Sequence, residues 1–503
     1  MAWWNPSSWG GARVERKIPF RRNYTGASTN RLFASFLGNS TSADSEIKNA
    51  IRKLRDRCRQ LCRNEPIAAK ALQIYRTQVV GDKGLHLQVR ARNLPRNGEL
   101  KGELDVKGND ILETLWKEWV KKGVAEITHR HSFIDCQQLV MESLVRDGEV
   151  LVKHIRNADN KFGYSLQFLE PDYLDEEYNT TLKDGSRIVM GVELNKLNRP
   201  VAYHLHSGVH PYDGFGKTSG RSRVPASDLM HIYRPDRCQQ TRGVPLFASV
   251  MDKIHMLNGY AEAEIVAARL SAAKPLFLQT QDGVGYAGDD FEDEAPVMLA
   301  EAGTITQLPA GVSATSVDMD HPNSGFDGFY KSMLRSIATG LGLDYVTLSS
   351  NLESVSYSSI RSGTIESRDN YRMHQTFLIE HFAVPVFREW LNMGITSGAI
   401  PFPMERYNKF AESAIFRPRG YAWVDPAREV NASVNALQNG LVSFSDVSQQ
   451  INGRDVEETF SALQGDLEMA DRYGLKINLE PLGAKSAAKP EIDKEGENGT
   501  DTD

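Results

Sequence analysis

An α+β fold is predicted for this chain of 503 residues, and three observations predict it. Between Gly148 and Tyr233, short runs of β-branched and aromatic residues are separated by turn residues, the pattern of a mostly antiparallel sheet. Two long stretches read as helices, one from about Gly243 to Ala273 with apolar residues at the helical period and one from Tyr357 to about Met393. Composition is that of a globular protein, 40% hydrophobic and 25% charged, so helices can pack on the sheet around a common core. The length suggests three or so domains.

The elements follow in chain order. Residues 1–44 are rich in Gly, Ser, Asn and Arg, with Trp3, Trp4 and Trp9, and read as an extended arm. From Ser42 or Asp44 to about Arg63, the residues Ile47, Ile51, Leu54, Cys58 and Leu61 mark an amphipathic helix. Pro66 opens a second helix through Val79, since its missing amide costs nothing in a first turn. Leu112, Leu115, Trp116 and Trp119 mark a third. The strand runs are VLVKHI, SLQFLEPDYL, RIVMGVELN, PVAYHLH and LMHIYR, with turns at 157–160, 184–185 and 195–199. The helix from Gly243 carries the stripe Phe247, Met251, Ile254, Leu257, Ala261, Ile265 and Ala268, and Lys274–Pro275 stops it.

An insert of about 50 residues follows, with strand runs PLFLQ and TITQLP and the acidic run Asp289, Asp290, Glu292, Asp293 and Glu294. A helix from Phe326 then lines one face with Phe329, Met333, Leu334, Ile337 and Leu341, and Gly340 and Gly342 end it. The polar segment from Thr347 to Ser356 is a loop with little to bury. The helix from Tyr357 spans roughly 54 Å at 1.5 Å per residue, with a kink expected near Pro385. Short helices from Pro426 to Gly474 complete the chain, one of them capped by Ser445 or Asp446, before an acidic tail.

Charge is uneven. The first 63 residues hold 13 Lys/Arg against 4 Asp/Glu, whereas the whole chain is at −6. The remainder therefore repels phosphate, and the basic portion is either a solvated helix face or a contact for an acidic partner. No run of apolar residues is long enough to span a membrane, and the N-terminus lacks the pattern of a secretion signal. Cys58, Cys62, Cys136 and Cys238 show no disulfide or zinc spacing and read as thiols in a reducing compartment.

Patterns suggestive of chemistry fail on context. Gly283, Gly285 and Gly288 spell GxGxxG, but Asp289 and Asp290 follow where a pyrophosphate would need a helix N-terminus. Gly216, Lys217 and Thr218 end like a phosphate loop, yet Pro211 takes the first glycine's place and Pro225 discourages the helix. His129 with His131, His204 with His206, and Asp318, Asp320 and His321 are metal-ligand candidates, the HLH pair foremost because alternate strand residues share a face. No HExxH or GxSxG occurs. No enzymatic activity, metal or cofactor is assigned.

The order of parts resembles the lambda-like portal family of tailed double-stranded DNA bacteriophages. RDGEVLVKHIRN with LEPDYL, IVMGVELNKLNRPVAYHLH, and MHIYRPDRCQQTRGVPLFASVM with its Gln240-Thr241-Arg242-Gly243 carry the resemblance in the body. FYKSMLRSIATGLGLDYVTLSSNLESVSYSSIRS and GLVSFSDVSQQINGRDVEETFSAL, closing on DRYGL, carry it further on. The resemblance covers roughly residues 45–475. It implies a wing at 45–242 with a return at 394–430, and stem helices at 243–273 and 323–345. It also implies a clip at 274–322, a tunnel loop at 346–357, a long tunnel helix at 358–393, and a crown at 431–482 before a tail at 483–503.

The resemblance further implies a dodecameric ring at one capsid vertex, built in the host bacterial cytoplasm and carried in the virion. Double-stranded DNA would pass its channel without sequence specificity. Other partners would be the terminase large subunit, the major capsid protein and scaffold, and head-completion proteins. Twelve copies would carry about −72 before counterions, a sign that lets DNA slide rather than stick. Ser349, Ser350, Asn351, Leu352, Glu353 and Ser354 would form the tunnel loop. Asp289, Asp290, Glu292, Asp293 and Glu294 would form the motor-docking clip. Lys253, Glu262, Glu264, Arg269, Lys331 and Arg335 would pair between subunits or line the channel. Other virion connector rings, or a packaging nuclease or ATPase, are the competing readings.

Overall fold

The computed structural model describes residues 40–94, 102–208, 210–212, 220–273, 276–280, 312–316, 325–353, 356–421, 426–452 and 456–475. Most of the N-terminal arm, the GKT and GVGYAG motifs, the acidic run 289–294, Asp318, Asp320, His321, Ser354 and the C-terminal tail lie outside them.

The single helix expected over 44–63 is two, α1 (Ala43–Lys48) and α2 (Ile51–Asn64). The break at Asn49 and Ala50 has a tertiary cause. Asp44 accepts from the Thr241 amide at 2.8 Å and its hydroxyl at 2.7 Å, and Glu46 pairs with Arg237 at 2.9 Å. The first turn therefore follows the 237–241 loop instead of the α2 axis. α3 (Pro66–Tyr75) has its proline in the first turn and passes into a π-helical turn, Arg76–Val80, closed by Gly81 at φ +72°.

β1 (His86–Val89) precedes α4 (Val106–Trp119), whose N-cap Asp105 accepts from the Gly108 amide at 3.1 Å. α5 (Phe133–Arg146) has no counterpart in the sequence reading. It opens on a capping box in which Ser132 and Asp135 satisfy each other's amides, and it buries Phe133, Cys136, Val140, Met141 and Val145.

The described strands of the β-region pair antiparallel with one another. β2 (Glu149–Arg156) is central in a three-stranded sheet between β3 (Tyr164–Leu169) and β9 (Leu229–Tyr233). A second sheet runs in chain order through β4 (Thr180–Thr181), β5 (Arg187–Val189), β6 (Val192–Leu194), β7 (Pro200–His206) and β8 (Arg221–Pro225). The run RIVMGVELN is a hairpin, turned at Met190 and Gly191 with φ of +46° and +82°. The expected turns hold Asn157, Gly185 and Asn198 at positive φ.

The helix expected from Gly243 begins at Met251. Gly243, Val244 and Pro245 lead into a 3₁₀ turn, Leu246–Ser249, and α6 then runs Met251–Ala273. β10 (Leu276–Thr280) pairs with β11 (Val312–Ser316). α7 (Phe326–Gly340) ends on a complete Schellman motif. Leu343 N–H donates to Ala338 C=O at 2.9 Å and Gly342 N–H to Thr339 C=O at 3.1 Å, with Gly342 at φ +64°. α8 (Tyr345–Ser349) follows after Asp344.

The long rod is continuous from Tyr357 to Thr396: α9 (Tyr357–Leu378), a π-helical turn Ile379–Ala383, and α10 (Val384–Thr396). The π turn stands immediately before Pro385 and absorbs the donor that proline lacks. α11 (Tyr407–Ala411) leads to β12 (Ala414–Arg417), which pairs with β1. The last helices are α12 (Pro426–Gln438), α13 (Phe444–Asn452) and α14 (Val456–Arg472). The α13 cap is Ser443, which accepts from Asp446 N–H at 3.2 Å while its own N–H donates to the Asp446 carboxylate at 3.0 Å. Ser445 does not take that role.

Trp116 sits at the centre of the core. Its ring lies 4.9 Å from Trp119, 5.3 Å from Phe133, 5.6 Å from Phe387, 5.0 Å from Trp390 and 6.0 Å from Phe416. α4, α5, α10 and β12 therefore meet at one aromatic cluster. The same buried cluster continues through α2 and α3 to the ends of α6 and α7, joining the β-body to the helix pair.

Candidate functional site

The segment between α7 and α9 was expected to be a loop over 346–357, and half of it is ordered by its own side chains. Asp344 caps α8, accepting from the Thr347 amide at 3.0 Å. Ser349 Oγ donates to Tyr345 C=O at 2.8 Å and accepts from Asn351 N–H at 3.2 Å. Asn351 Oδ1 accepts from Glu353 N–H at 2.8 Å. Ser350 takes the left-handed conformation at φ +55°. The Ser349 hydroxyl and the Asn351 carbonyl oxygen thus shape the backbone instead of projecting as free groups. Leu352 is 67% exposed, the apolar tip of an otherwise polar turn. Ser356 caps α9 through the Ser359 amide.

The charged residues beside it are engaged within their own chain. Lys331 lies 2.7 Å from Asp327 and 3.3 Å from Glu353, and those bonds raise its pKa. Glu353 is therefore balanced by a cation of α7. Lys253 donates to Ser336 Oγ at 2.8 Å, joining α6 to α7, and Arg335 stacks over the Tyr345 ring at 5.1 Å. Glu262 and Arg269 are exposed on α6, and Glu264 is half-buried.

Aromatic contacts hold the pair together: Tyr260 lies 5.5 Å from Phe326 and 5.2 Å from Phe329. Beside Tyr260 and Met333, Met256 is 69% and Phe329 50% exposed, whereas Ile265, 60% exposed, lies on the opposite side of α6.

Sequence reasoning missed how the quoted motifs converge. Arg242 of the QTRG motif is fully buried. Its guanidinium donates to Glu149 at 2.9 and 2.5 Å, to Met190 C=O at 3.0 Å and to Pro171 C=O at 3.3 Å. Four sequence segments thus meet on one side chain. Glu149 also accepts from Arg55 at 3.2 Å, His231 at 2.8 Å and the Gly243 amide at 3.0 Å. Burial alone would push Glu149 up. The Arg242 guanidinium and the His231 bond instead hold it well below the usual carboxylate range.

Gly243 is required by proximity, since a Cβ there would stand 2.2 Å from Gly148 O. Arg59 adds pairs with Asp147 at 2.7 Å and Asp172 at 2.6 Å. Two of the basic residues of α2 therefore serve the chain's own acids. The signal was present in the sequence as Arg55 and Arg59 falling near the apolar stripe of α2, beside Cys58 and Cys62.

The metal candidates are occupied otherwise. His204 bonds Glu193 at 3.0 Å, and Arg223 holds the same carboxylate at 2.8 Å. His206 approaches Asp175, which Arg221 contacts. His129 is bonded to Gly123 C=O at 2.5 Å. Cys58 and Cys62 are free thiols hydrogen-bonded to each other. Ligand atoms of Glu170, Asp172 and His210 lie within 4.8 Å of one another, but Arg59 contacts Asp172 at 2.6 Å and Glu170 at 3.4 Å.

Comparison with known proteins places this architecture. The family model of lambda-family phage portal proteins matches residues 29–375. A probable portal protein of Halomonas phage phiHAP-1 is 31% identical over 506 residues, covering 98% of this chain and 96% of the relative. Portal protein B of Escherichia phage lambda is 24% identical, covering 84% of each. Among solved structures, the neck of an empty gene transfer agent particle computed with C6 symmetry covers 78% of this chain and 92% of the other. Its identity is 14% and its TM-score 0.44. An HK97-family phage portal protein from Corynebacterium diphtheriae covers 78% of this chain and 99% of its own, at 9% identity and a TM-score of 0.30. Those two likenesses are too distant to bear on assembly or activity. The match over most of the chain and the near full-length relative decide the matter: the chain belongs to the lambda family of phage portal proteins, the virion proteins that form the channel for DNA packaging.

Proposed function

We propose that the chain closes into a dodecameric ring whose axial opening conducts double-stranded DNA into and out of the capsid. The observation that carries this reading is the pairing of two surfaces on adjoining elements. α6 and α7 leave Met256 and Phe329 in water in a single copy, an apolar face that neighbouring copies would cover. The segment 345–353 beside them is short and internally bonded, and its one charged side chain, Glu353, lies 3.3 Å from Lys331. A rigid, neutral-to-acidic turn offers a moving phosphate backbone nothing to exchange for its counterions.

In this reading 45–242 and 394–430 form the wing, with Arg242 fixing its junction to the stem at 243–273 and 323–345. Residues 274–322 form the clip, where Asp289, Asp290, Glu292, Asp293 and Glu294 receive the terminase large subunit and later the head-completion proteins. Residues 346–357 are the tunnel loop, 358–393 its helix and 431–482 the crown. The wing faces the major capsid protein and scaffold. Assembly takes place in the host bacterial cytoplasm, and the role is structural, with motor chemistry left to the terminase.

Negative-stain electron microscopy of the purified chain, averaged down the symmetry axis, tests the proposal. Rings with a central hole are expected. Compact monomers or dimers at micromolar concentration would overturn self-assembly into a channel.

A further inference from the structure

The fold accounts for only part of the basic N-terminal portion. α2 carries six cations and sorts them by side. Arg55 and Arg59 turn inward, onto Glu149, Glu176, Asp147 and Asp172. Arg52, Lys53, Arg57 and Arg63 are exposed, and none of the four has a hydrogen bond or an ion pair among the described residues. Arg52 lies over the Tyr212 ring at 4.5 Å, a contact that fixes its stem and leaves its charge in water.

These four share one face. At 3.6 residues per turn, positions 52, 53, 57 and 63 fall within an arc of about 140°, and at 1.5 Å per residue they extend along about 16 Å of helix. Gln60 and Asn64 lie on the same arc, and Asp56 is its one carboxylate. A depression of about 410 Å³ runs over Arg52, Lys53, Arg57 and Gln60. α2 exposes no large hydrophobic residue, whereas protein–protein interfaces centre on apolar and aromatic side chains. Arginine, lysine and amide groups are the side chains that contact phosphate oxygens of nucleic acid. Over about 16 Å one strand of a duplex presents about five phosphates, enough for each of the four cations to meet one.

We propose that the outer face of α2 holds the phosphate backbone of double-stranded DNA, without reading its sequence, through Arg52, Lys53, Arg57 and Arg63. The contact stands on a different element from the 345–353 segment. It is a holding contact where that turn is a sliding one, and it does not require a ring.

The full-length chain is titrated with a fluorescent blunt-ended duplex of arbitrary sequence from about 50 to 200 mM salt, and anisotropy gives the affinity at each concentration. Replacing one cation, as in Arg57→Gln or Arg63→Gln, should shrink the loss of affinity over that range about 3.5-fold, and replacing all four by Gln about 150-fold. Arg57→Lys should behave as the native chain does. So should Lys161→Gln, whose lysine is also exposed but pairs with Glu118. Circular dichroism of the fourfold variant should match the native chain, because all four sites are exposed. An unchanged salt dependence in the fourfold variant would overturn the proposal, as would a native chain that fails to bind duplex at about 50 mM salt. Binding of poly-glutamate in place of duplex, lost in the same variant, would overturn it in favour of an acidic protein partner.

Discussion

Replacing Glu149 with Gln isolates the junction between the β-body and the helix pair. The substitution keeps shape and removes one charge. In the native chain Glu149 faces two fully buried guanidiniums, Arg242 at 2.5 Å and Arg55 at 3.2 Å, and a nearly buried His231 at 2.8 Å. Arg55 keeps Glu176 at 2.8 Å and Asp172 at 3.4 Å, so its loss is partial. Arg242 keeps only two backbone carbonyls, at 3.0 and 3.3 Å.

Breaking a buried pair by neutralising one partner costs about 3–5 kcal/mol, because a desolvated charge is left behind. In a chain of this size a single unfolding free energy is poorly defined. Native-state hydrogen exchange at the Val150 and Val152 amides on β2 is the better assay. Protection there should fall by roughly 10²- to 10³-fold, at about 1.4 kcal/mol per decade. Glu193→Gln is the control, since its partner Arg223 is 52% exposed and such a pair is worth about 0.2–1 kcal/mol. If Glu149→Gln loses no more protection than this control, the junction does not depend on the buried charge.

Three further outcomes follow from the geometry. Burial lowers the His374 pKa to about 4 from 6.5, so the unfolded chain binds the extra proton between those values. Stability from this group is full above pH 6.5 and falls as pH drops towards 4, by up to about 3 kcal/mol. His374→Phe should flatten the urea midpoint across that window. Gly342→Ala forces a side chain into φ +64° and sets a Cβ 2.9 Å from Asn370 Nδ2. A loss of about 1–2 kcal/mol or more should appear as faster exchange at the Leu343 amide. Phe329→Glu, at a half-exposed position, should leave circular dichroism unchanged and abolish rings in electron micrographs; rings of normal size would exclude that face from the interface.

What could be read from the sequence was whatever depends on local pattern. The stripes of α6, α7 and α9, the strand runs and the glycines ending α7 follow from period and backbone preference alone. α5 was equally legible, with the Ser132 and Asp135 capping box at the head of a helical stripe, although β-branched and aromatic residues, Phe133 and Ile134, open it. The split between α1 and α2 was not legible, because Asp44 answers to Thr241, nearly 200 residues away.

The same holds for the junction. Glu149 on a strand, Arg242 in a loop and Arg55 on a basic helix carry no common signal until the fold brings them together. In the 344–353 segment composition announced a polar turn. Its internal bonding depends on Ser349 and Asn351 turning back onto the backbone, which composition does not specify.

The pairing of β1 with β12 has a consequence for how the chain is made. His86 opposes Arg417 and Val89 opposes Ala414, so the strand that completes the body leaves the ribosome some 330 residues after its partner. Phe416, which closes the aromatic cluster on Trp116, arrives with it. Until then β1 is an unprotected edge, and the helix pair already synthesised hangs from an unfinished base. Synthesis itself therefore sets an order of events: each copy can finish its body only once Arg417 has been added.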